Sequence, residues 1–139
     1  MNIAGYSGTP LIKKLGVKEG FRVCLIDAFD GYDALLQPLP AGVIVEREPV
    51  EQCDFIQVFV RERRALQMWL PLLKACLLPN GMLWISWPKR TSSLATDLAG
   101  NIVREDGLGV GLVDVKVCAV NADWSALKFV YRLKDRSFR

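Results

Sequence analysis

The chain has 139 residues, of which 51% are hydrophobic and 24% are charged, and its formal net charge is +3. A chain of this length and composition forms one folded domain with a sizeable core, which excludes a disordered or low-complexity protein. It contains no histidine, which excludes a Ser-His-Asp triad, a Cys-His pair and a histidine-ligated zinc site.

The N-terminal residues predict an arm that leads into a short helix, together residues 1–16 of the single domain. Thr9 and Pro10 suit an N-cap and a first helical position, and the helix is expected to end at Gly16. A strand follows over residues 21–26, which are too apolar for a strand with one face in water. We therefore expect this strand to lie inside a sheet.

A second helix and a second strand are predicted next. Asp30 is a candidate N-cap for a helix over residues 31–37, which Pro38-Leu39-Pro40 ends. The strand over residues 43–46 is short and ends in charged residues, as strands at the edge of a sheet often do.

The middle of the chain predicts two buried strands joined by a helix. Residues 54–60 are nearly all apolar, which is typical of a parallel strand covered on both faces. Apolar residues recur every three or four positions over residues 62–78, so a helix is expected against the sheet, and Pro71 must kink it or start a second helix. Pro79-Asn80-Gly81 ends this helix, and a strand is predicted over residues 82–87.

The last third predicts a helix and a hairpin. The helix runs from Ser93 to about Glu105, after which Gly107, Gly109 and Gly111 are expected to break regular structure. Alternating apolar residues then indicate two antiparallel strands joined through residues 121–125. The chain is therefore expected to be an α/β protein, with a single open three-layer Rossmann-like sheet that is mostly parallel and ends in a C-terminal antiparallel hairpin.

The four cysteines are far apart in the sequence, at Cys24, Cys53, Cys76 and Cys118. Without a Cys-x-x-Cys pair, the spacing does not indicate a zinc or iron–sulfur site. Three of them lie in or beside apolar runs, where cysteine acts as a small hydrophobe, and we expect reduced, structural thiols.

The sequence indicates a cytoplasmic protein with no membrane partner. The N-terminal residues lack a basic segment followed by an apolar core, and no apolar stretch approaches the roughly 20 residues that span a bilayer. Part of the positive charge comes from the C-terminal tail, where cations more often solvate a chain end than bind nucleic acid. This pattern argues against a nucleic-acid partner and leaves a homo-oligomer or a protein partner open.

The segment from Asp54 to Leu133 resembles the second half of the S-adenosylmethionine-dependent methyltransferase fold. In that family a leucine-rich helix, a Lys-Pro-Gly-Gly turn and a strand stand where Leu77-Leu78-Pro79-Asn80-Gly81 stands here, and the sheet ends in an antiparallel hairpin. The resemblance implies a Rossmann-like fold and names S-adenosylmethionine as the candidate cofactor. It implies less about activity, because one architecture hosts many functions.

The first third of the chain departs from that family. Its members carry a glycine-rich turn after the first strand and an acidic residue at the end of the second strand, which holds the ribose. Here the turn has a single glycine, in Asp27-Ala28-Phe29-Asp30-Gly31-Tyr32, and Glu46 or Glu48 would supply the ribose carboxylate. The front half is also one strand and one helix short of the family pattern.

Nearly the whole chain is also similar to a family of small uncharacterised bacterial proteins, known only as a domain of unknown function. The shared phrases are Gly5-Tyr6-Ser7-Gly8-Thr9-Pro10-Leu11, Lys13-Lys14-Leu15-Gly16, Asp30-Gly31-Tyr32 and Trp84-Ile85-Ser86-Trp87-Pro88-Lys89. This resemblance implies no activity.

Candidate ligand-binding residues follow the predicted parallel strands. In an open α/β sheet, ligands bind beyond the carboxyl ends of the strands, at the point where the strand order reverses. That rule selects seven residues: Asp27, Phe29, Asp30, Arg61, Trp87, Lys89 and Arg90. Lys89 and Arg90 would meet a helix N-terminus predicted at residues 91–93, where an anion could bind. Each candidate has a structural interpretation as well: Asp27 as a turn former, Asp30 as a helix cap and Trp87 as a packing residue.

The sequence is consistent with two main functions. One is a binding or interaction module with a methyltransferase-like fold and no catalytic set, since the glycine turn and histidine are both missing. The alternative is a reduced S-adenosylmethionine-dependent methyltransferase that uses Asp27, Asp30 and Glu46, because methyl transfer depends on positioning more than on acid or base groups.

The state of one crevice distinguishes these functions. An enzyme predicts an open, partly apolar pocket beyond Asp27 and Trp87, whereas in an interaction module Phe29, Tyr32 or the N-terminal arm would fill it. A third function, self-association, would use the hairpin edge or the helix that carries Trp69.

Overall fold

Six strands and four α-helices alternate along the chain in the computed structural model, which describes residues 8–136. In chain order the elements are α1 (Leu11–Leu15), β1 (Arg22–Ile26), α2 (Tyr32–Leu36), β2 (Ile44–Glu46), β3 (Cys53–Phe59), α3 (Arg63–Cys76), β4 (Leu77–Pro88), α4 (Gly100–Gly109), β5 (Leu112–Ala119) and β6 (Trp124–Tyr131). None of the helices in this part of the chain combines the length and the apolar character that a membrane span requires.

The six strands form one mixed sheet in the order β2-β1-β3-β4-β6-β5. The first four strands are parallel, and β6 and β5 complete the sheet as an antiparallel hairpin. This confirms the predicted α/β fold, with β2 at one edge and β1 and β3 inside. The chain passes from β2 back across β1 to form β3, so the strand order reverses between β1 and β3, and the rule for open sheets places a ligand beyond Ile26 and Phe59.

Helices cover both faces of the sheet, which gives three layers. On one face, Leu66, Leu70 and Val103 from α3 and α4 join the core formed with the strands. On the other face, Leu15 and Tyr32 from α1 and α2 form a second core. The indole N–H of Trp84 donates a hydrogen bond to the carbonyl oxygen of Leu15 at 2.9 Å, which fixes the end of α1 on the sheet.

The predicted start of the fourth helix is wrong. The helix begins at Gly100 rather than Ser93, and residues 89–99 form a loop. The Ser92 hydroxyl donates to the Asp123 carboxylate at 2.9 Å and accepts the Leu94 N–H at 3.0 Å, so a residue that suits a helix cap holds a loop turn instead.

The helix also continues through Gly107 and Gly109, which we expected to break it. A Cβ atom at Gly107 would lie 2.0 Å from a ring carbon of Phe129 in β6. Glycine is therefore needed here for close packing of the helix on the sheet rather than for a turn.

Three smaller expectations also need correction. The N-cap of α2 is Gly31, without a side-chain hydrogen bond, so Asp30 does not cap this helix. Helix α3 continues through Pro71, which lies on its exposed side where water can satisfy the freed carbonyl, so no second helix starts there. Pro79-Asn80-Gly81 lies within β4, because Leu77 already pairs with Cys53 before the regular ladder resumes.

Candidate functional site

The carboxyl ends of the three central parallel strands lie side by side. Ile26 pairs with Val58, and Phe59 pairs with Ser86. The chain segments that leave β1, β3 and β4 therefore start from one edge of the sheet. This edge includes the reversal point between β1 and β3, and it is the candidate site of the fold.

Four aromatic rings pack together at this edge, and we refer to Phe29, Tyr32, Phe59 and Trp124 as the aromatic cap. Phe29 comes from the turn after β1, and its ring centroid lies 5.3 Å from Tyr32, 5.6 Å from Phe59 and 5.8 Å from Trp124. Tyr32 and Phe59 are 4.8 Å apart, and Phe59 and Trp124 are 5.3 Å apart. Three of the rings are buried and Phe29 is half-buried. The turn after β1 thus points a phenyl ring into the space that a glycine-rich turn would leave to a ligand.

A buried chain of hydrogen bonds fixes the cap from below. The hydroxyl of Tyr32 donates to Oε1 of Gln57 at 2.5 Å, and Nε2 of Gln57 donates to Oγ of Ser86 at 2.9 Å. Gln57 and Ser86 are fully buried in β3 and β4. Since unpaired polar groups are costly inside a protein, this chain holds helix α2 in one position over the central strands.

Burial raises the pKa of Tyr32 well above its ordinary value. The hydroxyl therefore stays protonated and acts as a hydrogen-bond donor. A neutral, buried phenol with a fixed partner is suited to positioning the helix rather than to accepting a proton from a ligand.

Of the predicted site residues, Phe29 and Arg61 meet at the cap. The guanidinium carbon of Arg61 lies 5.4 Å from the ring centroid of Trp124, which is cation–π geometry. Trp124 is thus contacted by Phe29 from the β1 side and by Arg61 from the β3 side. Trp124 lies in the segment 121–125 that was expected to join the two hairpin strands, and it is the first residue of β6.

Trp87 lies away from the cap, on the opposite face of the sheet. It belongs to the core beneath α3 and α4, where a Cβ atom at Gly100 would lie 3.7 Å from its ring. Alternation along β4 explains this, because Trp84 faces the α1–α2 core while Leu83, Ile85 and Trp87 face the other one.

The remaining predicted residues lie on exposed loops. Asp27 is exposed with a φ of 59°, and Asp30 is exposed as well. Neither carboxylate forms an ion pair with any residue in 8–136. Lys89 and Arg90 begin the loop before α4, and the backbone N–H of Lys89 donates to the carbonyl oxygen of Asp123 at 2.7 Å. Because no helix starts at residues 91–93, the helix N-terminus that was expected to help these cations hold an anion is absent there.

Two residues of the site, Gln57 and Ser86, were not among those predicted from the sequence. Each interrupts an otherwise apolar buried strand, and such an interruption is itself a signal, because a polar residue in a covered strand needs a partner. The partner, Tyr32, comes from a different element, so the sequence pattern alone does not identify it.

A small cavity lies on the same face of the sheet as the cap, between β1, β2 and the helices α1 and α2, and no cap residue lines it. Its volume is about 40 Å³, and mostly apolar side chains line it, among them Ile12, Val23 and Leu36. Arg47 and Asp33, whose side chains form an ion pair at 2.6 Å, line its rim. Pockets for small molecules in proteins usually have about 300–1,000 Å³, so this cavity has room for water molecules only.

Comparison with solved structures identifies the fold, while no family model matches the chain and no curated protein matches it significantly. Fibrillarin from Aeropyrum pernix with bound S-adenosylmethionine aligns with a TM-score of 0.57 and 13% identity, over 82% of this chain and 68% of that one. A TehB-like S-adenosylmethionine-dependent methyltransferase from Corynebacterium glutamicum gives 0.52 and 11%, over 87% and 85%. Magnesium protoporphyrin IX methyltransferase from Synechocystis with bound S-adenosylhomocysteine gives 0.58 and 10%, over 88% and 78%. The chain therefore has the Rossmann-like fold of S-adenosylmethionine-dependent methyltransferases.

Proposed function

We propose that this protein is a binding module that uses a methyltransferase-like fold without binding the methyltransferase cofactor. The observation that carries this proposal is the position of Phe29, whose ring packs against Tyr32, Phe59 and Trp124 at the reversal point of the sheet. A ligand at that point would have to displace the ring from three aromatic contacts.

The residues present do not fit S-adenosylmethionine at this edge of the sheet. The turn after β1 has one glycine, Gly31, and it lies at the start of α2 rather than beside the strand end. The cavity between β1, β2, α1 and α2, at about 40 Å³, is far below the size of a pocket for a nucleoside-containing ligand. Both features favour a module over an enzyme.

The chemistry of the side chains supports the same proposal. The chain has no histidine, and burial raises the pKa values of Tyr32, Cys76 and Cys118. Cys24 also has a raised pKa, chiefly because of its hydrogen bond with Cys53. Groups held in their neutral forms are weak bases and weak nucleophiles at neutral pH.

The fold itself favours a second candidate function, a reduced S-adenosylmethionine-dependent methyltransferase. Solved neighbours with this fold contain S-adenosylmethionine or S-adenosylhomocysteine. In this candidate Phe29 swings away from Trp124, and Asp27, Asp30 and Glu46 contact the cofactor. Methyl transfer would then depend on the positioning of the two substrates rather than on an acid or a base.

A thermal-shift titration with S-adenosylmethionine and S-adenosylhomocysteine tests the proposal. A ligand at 100 times its Kd adds about 2.7 kcal/mol to stability, which raises the midpoint of a domain of this size by several degrees. We expect no shift for the wild-type protein at millimolar ligand. A saturable shift that Asp27→Ala abolishes would overturn the proposal in favour of the methyltransferase.

Two phenylalanine variants test whether the ring of Phe29 keeps the cofactor from binding at the reversal point of the sheet. Phe29→Ala removes the ring that stands at the reversal point, whereas Phe21→Ala removes a partly buried ring just before β1, at the opposite end of that strand. A shift with either ligand that appears only in Phe29→Ala supports the proposal. The same shift in Phe21→Ala and the wild type would contradict it.

A further inference from the structure

A groove lined by lysines runs between α1 and β5, and none of its lining residues belongs to the aromatic cap. Its volume is about 450 Å³, and it is lined by Thr9, Lys13, Lys14, Lys116, Val117, Cys118 and Ala119. Three of its seven lining residues are lysines, and none is acidic. We refer to this feature as the lysine groove.

Two lysines face each other across the hairpin at this place. Lys116 in β5 is the direct cross-strand partner of Lys128 in β6. Directly paired residues of neighbouring strands project on the same face, and like charges in that arrangement destabilise a sheet. A pairing that costs stability in the free protein suggests that these charges serve an interaction.

Further lysines approach this pair from α1 and the turn after it. The ammonium group of Lys116 donates to the carbonyl oxygen of Lys14 at 3.2 Å, which joins β5 to the end of α1. Burial, followed by the positive charges of Lys116 and Lys18, lowers the pKa of Lys128. Positive charges from β5 and the turn after α1 therefore lie close enough to affect Lys128 in β6.

Carboxylates do not neutralise the central pair. Within residues 8–136, neither Lys116 nor Lys128 forms an ion pair. The nearest acidic residue along β5, Asp114, is bound to Arg104 at 3.2 Å. The charges of Lys116 and Lys128 are thus not neutralised by a carboxylate of residues 8–136.

We propose that the lysine groove binds a small anion that carries several phosphate groups, either a free polyphosphate or the phosphate chain of a nucleotide. Lysine ammonium groups are compact charges with three donors each, and they suit phosphate oxygens. The groove has the volume of a small-molecule site. A long nucleic acid would need a basic track well beyond one groove, and the overall net charge is only +3. No residue of the aromatic cap lines the groove, so the proposal does not depend on whether the cap admits a cofactor.

Calorimetric titration with inorganic tripolyphosphate at low ionic strength tests this site. We expect saturable binding by the wild-type protein. The affinity should fall about tenfold in Lys116→Met, which loses a charged hydrogen-bond donor of the groove lining, and by a smaller factor in Lys128→Met, whose charge lies beside that lining. The matched control is Lys134→Met, an exposed lysine in the turn at Leu133–Asp135 that removes the same charge away from the groove. Its affinity should stay within about twofold of wild type, since screened charges at a distance contribute little.

The thermal midpoint of each variant separates a loss of binding from a loss of folding. Each variant is first checked by its thermal midpoint, and Lys128→Met is expected to melt no lower than wild type, because it removes the repulsion from Lys116. Absence of tripolyphosphate binding by the wild type would overturn the proposal. Equal weakening by Lys134→Met and Lys116→Met would also overturn it, because the effect would then reflect net charge only.

Two further titrations identify the kind of phosphate. ATP that binds more tightly than tripolyphosphate supports a nucleotide, and the reverse order supports a free polyphosphate. A single-stranded oligonucleotide that binds far more tightly than either, with a steep dependence on salt, would contradict a small anion and indicate a nucleic-acid surface.

Discussion

Phe29 stacks on Trp124, with ring centroids 5.8 Å apart and ring planes 29° from parallel. One residue follows the first strand of the sheet and the other starts the last, so the contact joins two ends of the sequence across the reversal point. The packing of Phe29 at the cap therefore depends on the C-terminal hairpin as much as on the turn after β1.

The hydrogen bond beneath the cap leads to a first prediction. Tyr32→Phe leaves Oε1 of Gln57 without its donor in a fully buried position, and the expected loss of stability is about 1–3 kcal/mol. Urea unfolding followed by circular dichroism measures this loss.

Asp33→Asn is the matched control for Tyr32→Phe, since it removes the partner of Arg47 from the exposed side of the same helix. A surface ion pair contributes at most about 1 kcal/mol, so Asp33→Asn should cost less than Tyr32→Phe. The reverse order would show that the buried chain does not hold α2.

The two glycines near the end of α4 give a second prediction. A Cβ atom at Gly107 would collide with the ring of Phe129, whereas one at Gly109 would meet open space. Gly107→Ala should therefore destabilise the protein by about 1–3 kcal/mol or more, as overpacking does. Gly109→Ala should be neutral or stabilise it by up to about 1 kcal/mol, through its better helix propensity. Equal thermal midpoints for the two variants would contradict the packing of α4 on β6.

Repulsion between Lys116 and Lys128 gives a third prediction, on stability rather than binding. Lys128→Met should raise the stability by about 0.2–1 kcal/mol at neutral pH, because directly opposed like charges in a sheet cost about this much. Urea unfolding at neutral pH measures the gain, with Lys134→Met as the unchanged control.

The pH dependence of this gain has a definite sign. The pKa of Lys128 is lowered in the folded protein, by burial first and then by Lys116 and Lys18. The folded state therefore binds fewer protons than the unfolded chain as the pH approaches the ordinary pKa of lysine. The charge of Lys128 destabilises the folded protein fully at neutral pH, and this destabilisation disappears as the pH rises towards and past the ordinary pKa of lysine. The gain in stability from Lys128→Met should therefore shrink over the same pH range. A constant advantage from neutral to alkaline pH would rule out a charge effect.

The buried thiols give a fourth prediction. All four cysteines are free and buried, and Cys24 and Cys53 donate to the carbonyl oxygens of Glu48 and Val50 at 3.0 and 3.1 Å. Thiolate is the reactive form, and a thiol shielded from solvent reacts slowly. An aromatic disulfide reagent at mildly alkaline pH should label almost no thiol in the native protein and four in denaturant. One thiol that reacts at the rate of free cysteine in the native protein would show that the strand or helix that carries it opens.

Sequence patterns located the strands well where burial is continuous. The apolar run predicted as a strand over residues 54–60 is β3, Cys53–Phe59, because a strand covered on both faces is nearly all apolar. The alternating pattern near the C-terminus likewise gave the hairpin, since β5 and β6 each have one partly exposed face.

Long-range contacts explain the features that the sequence did not predict. Ser92 suits a helix cap locally, yet its hydroxyl is bound to Asp123. Gly107 suits a helix end locally, yet the ring of Phe129 requires a residue without a side chain there. The ring of Phe29 packs against Tyr32, Phe59 and Trp124, and two of these rings come from distant strands, so the sequence pattern alone does not place it.

The most direct test of the central claim is a crystal structure of the wild-type protein grown with millimolar S-adenosylhomocysteine. We expect the ring of Phe29 to be stacked on Trp124 in this crystal structure, and we expect no S-adenosylhomocysteine beyond Ile26, at the end of β1. A structure in which Phe29 has turned away from Trp124 and S-adenosylhomocysteine contacts Asp27 and Asp30 would contradict the proposal that this protein does not bind the methyltransferase cofactor. It would establish a cofactor site in this fold.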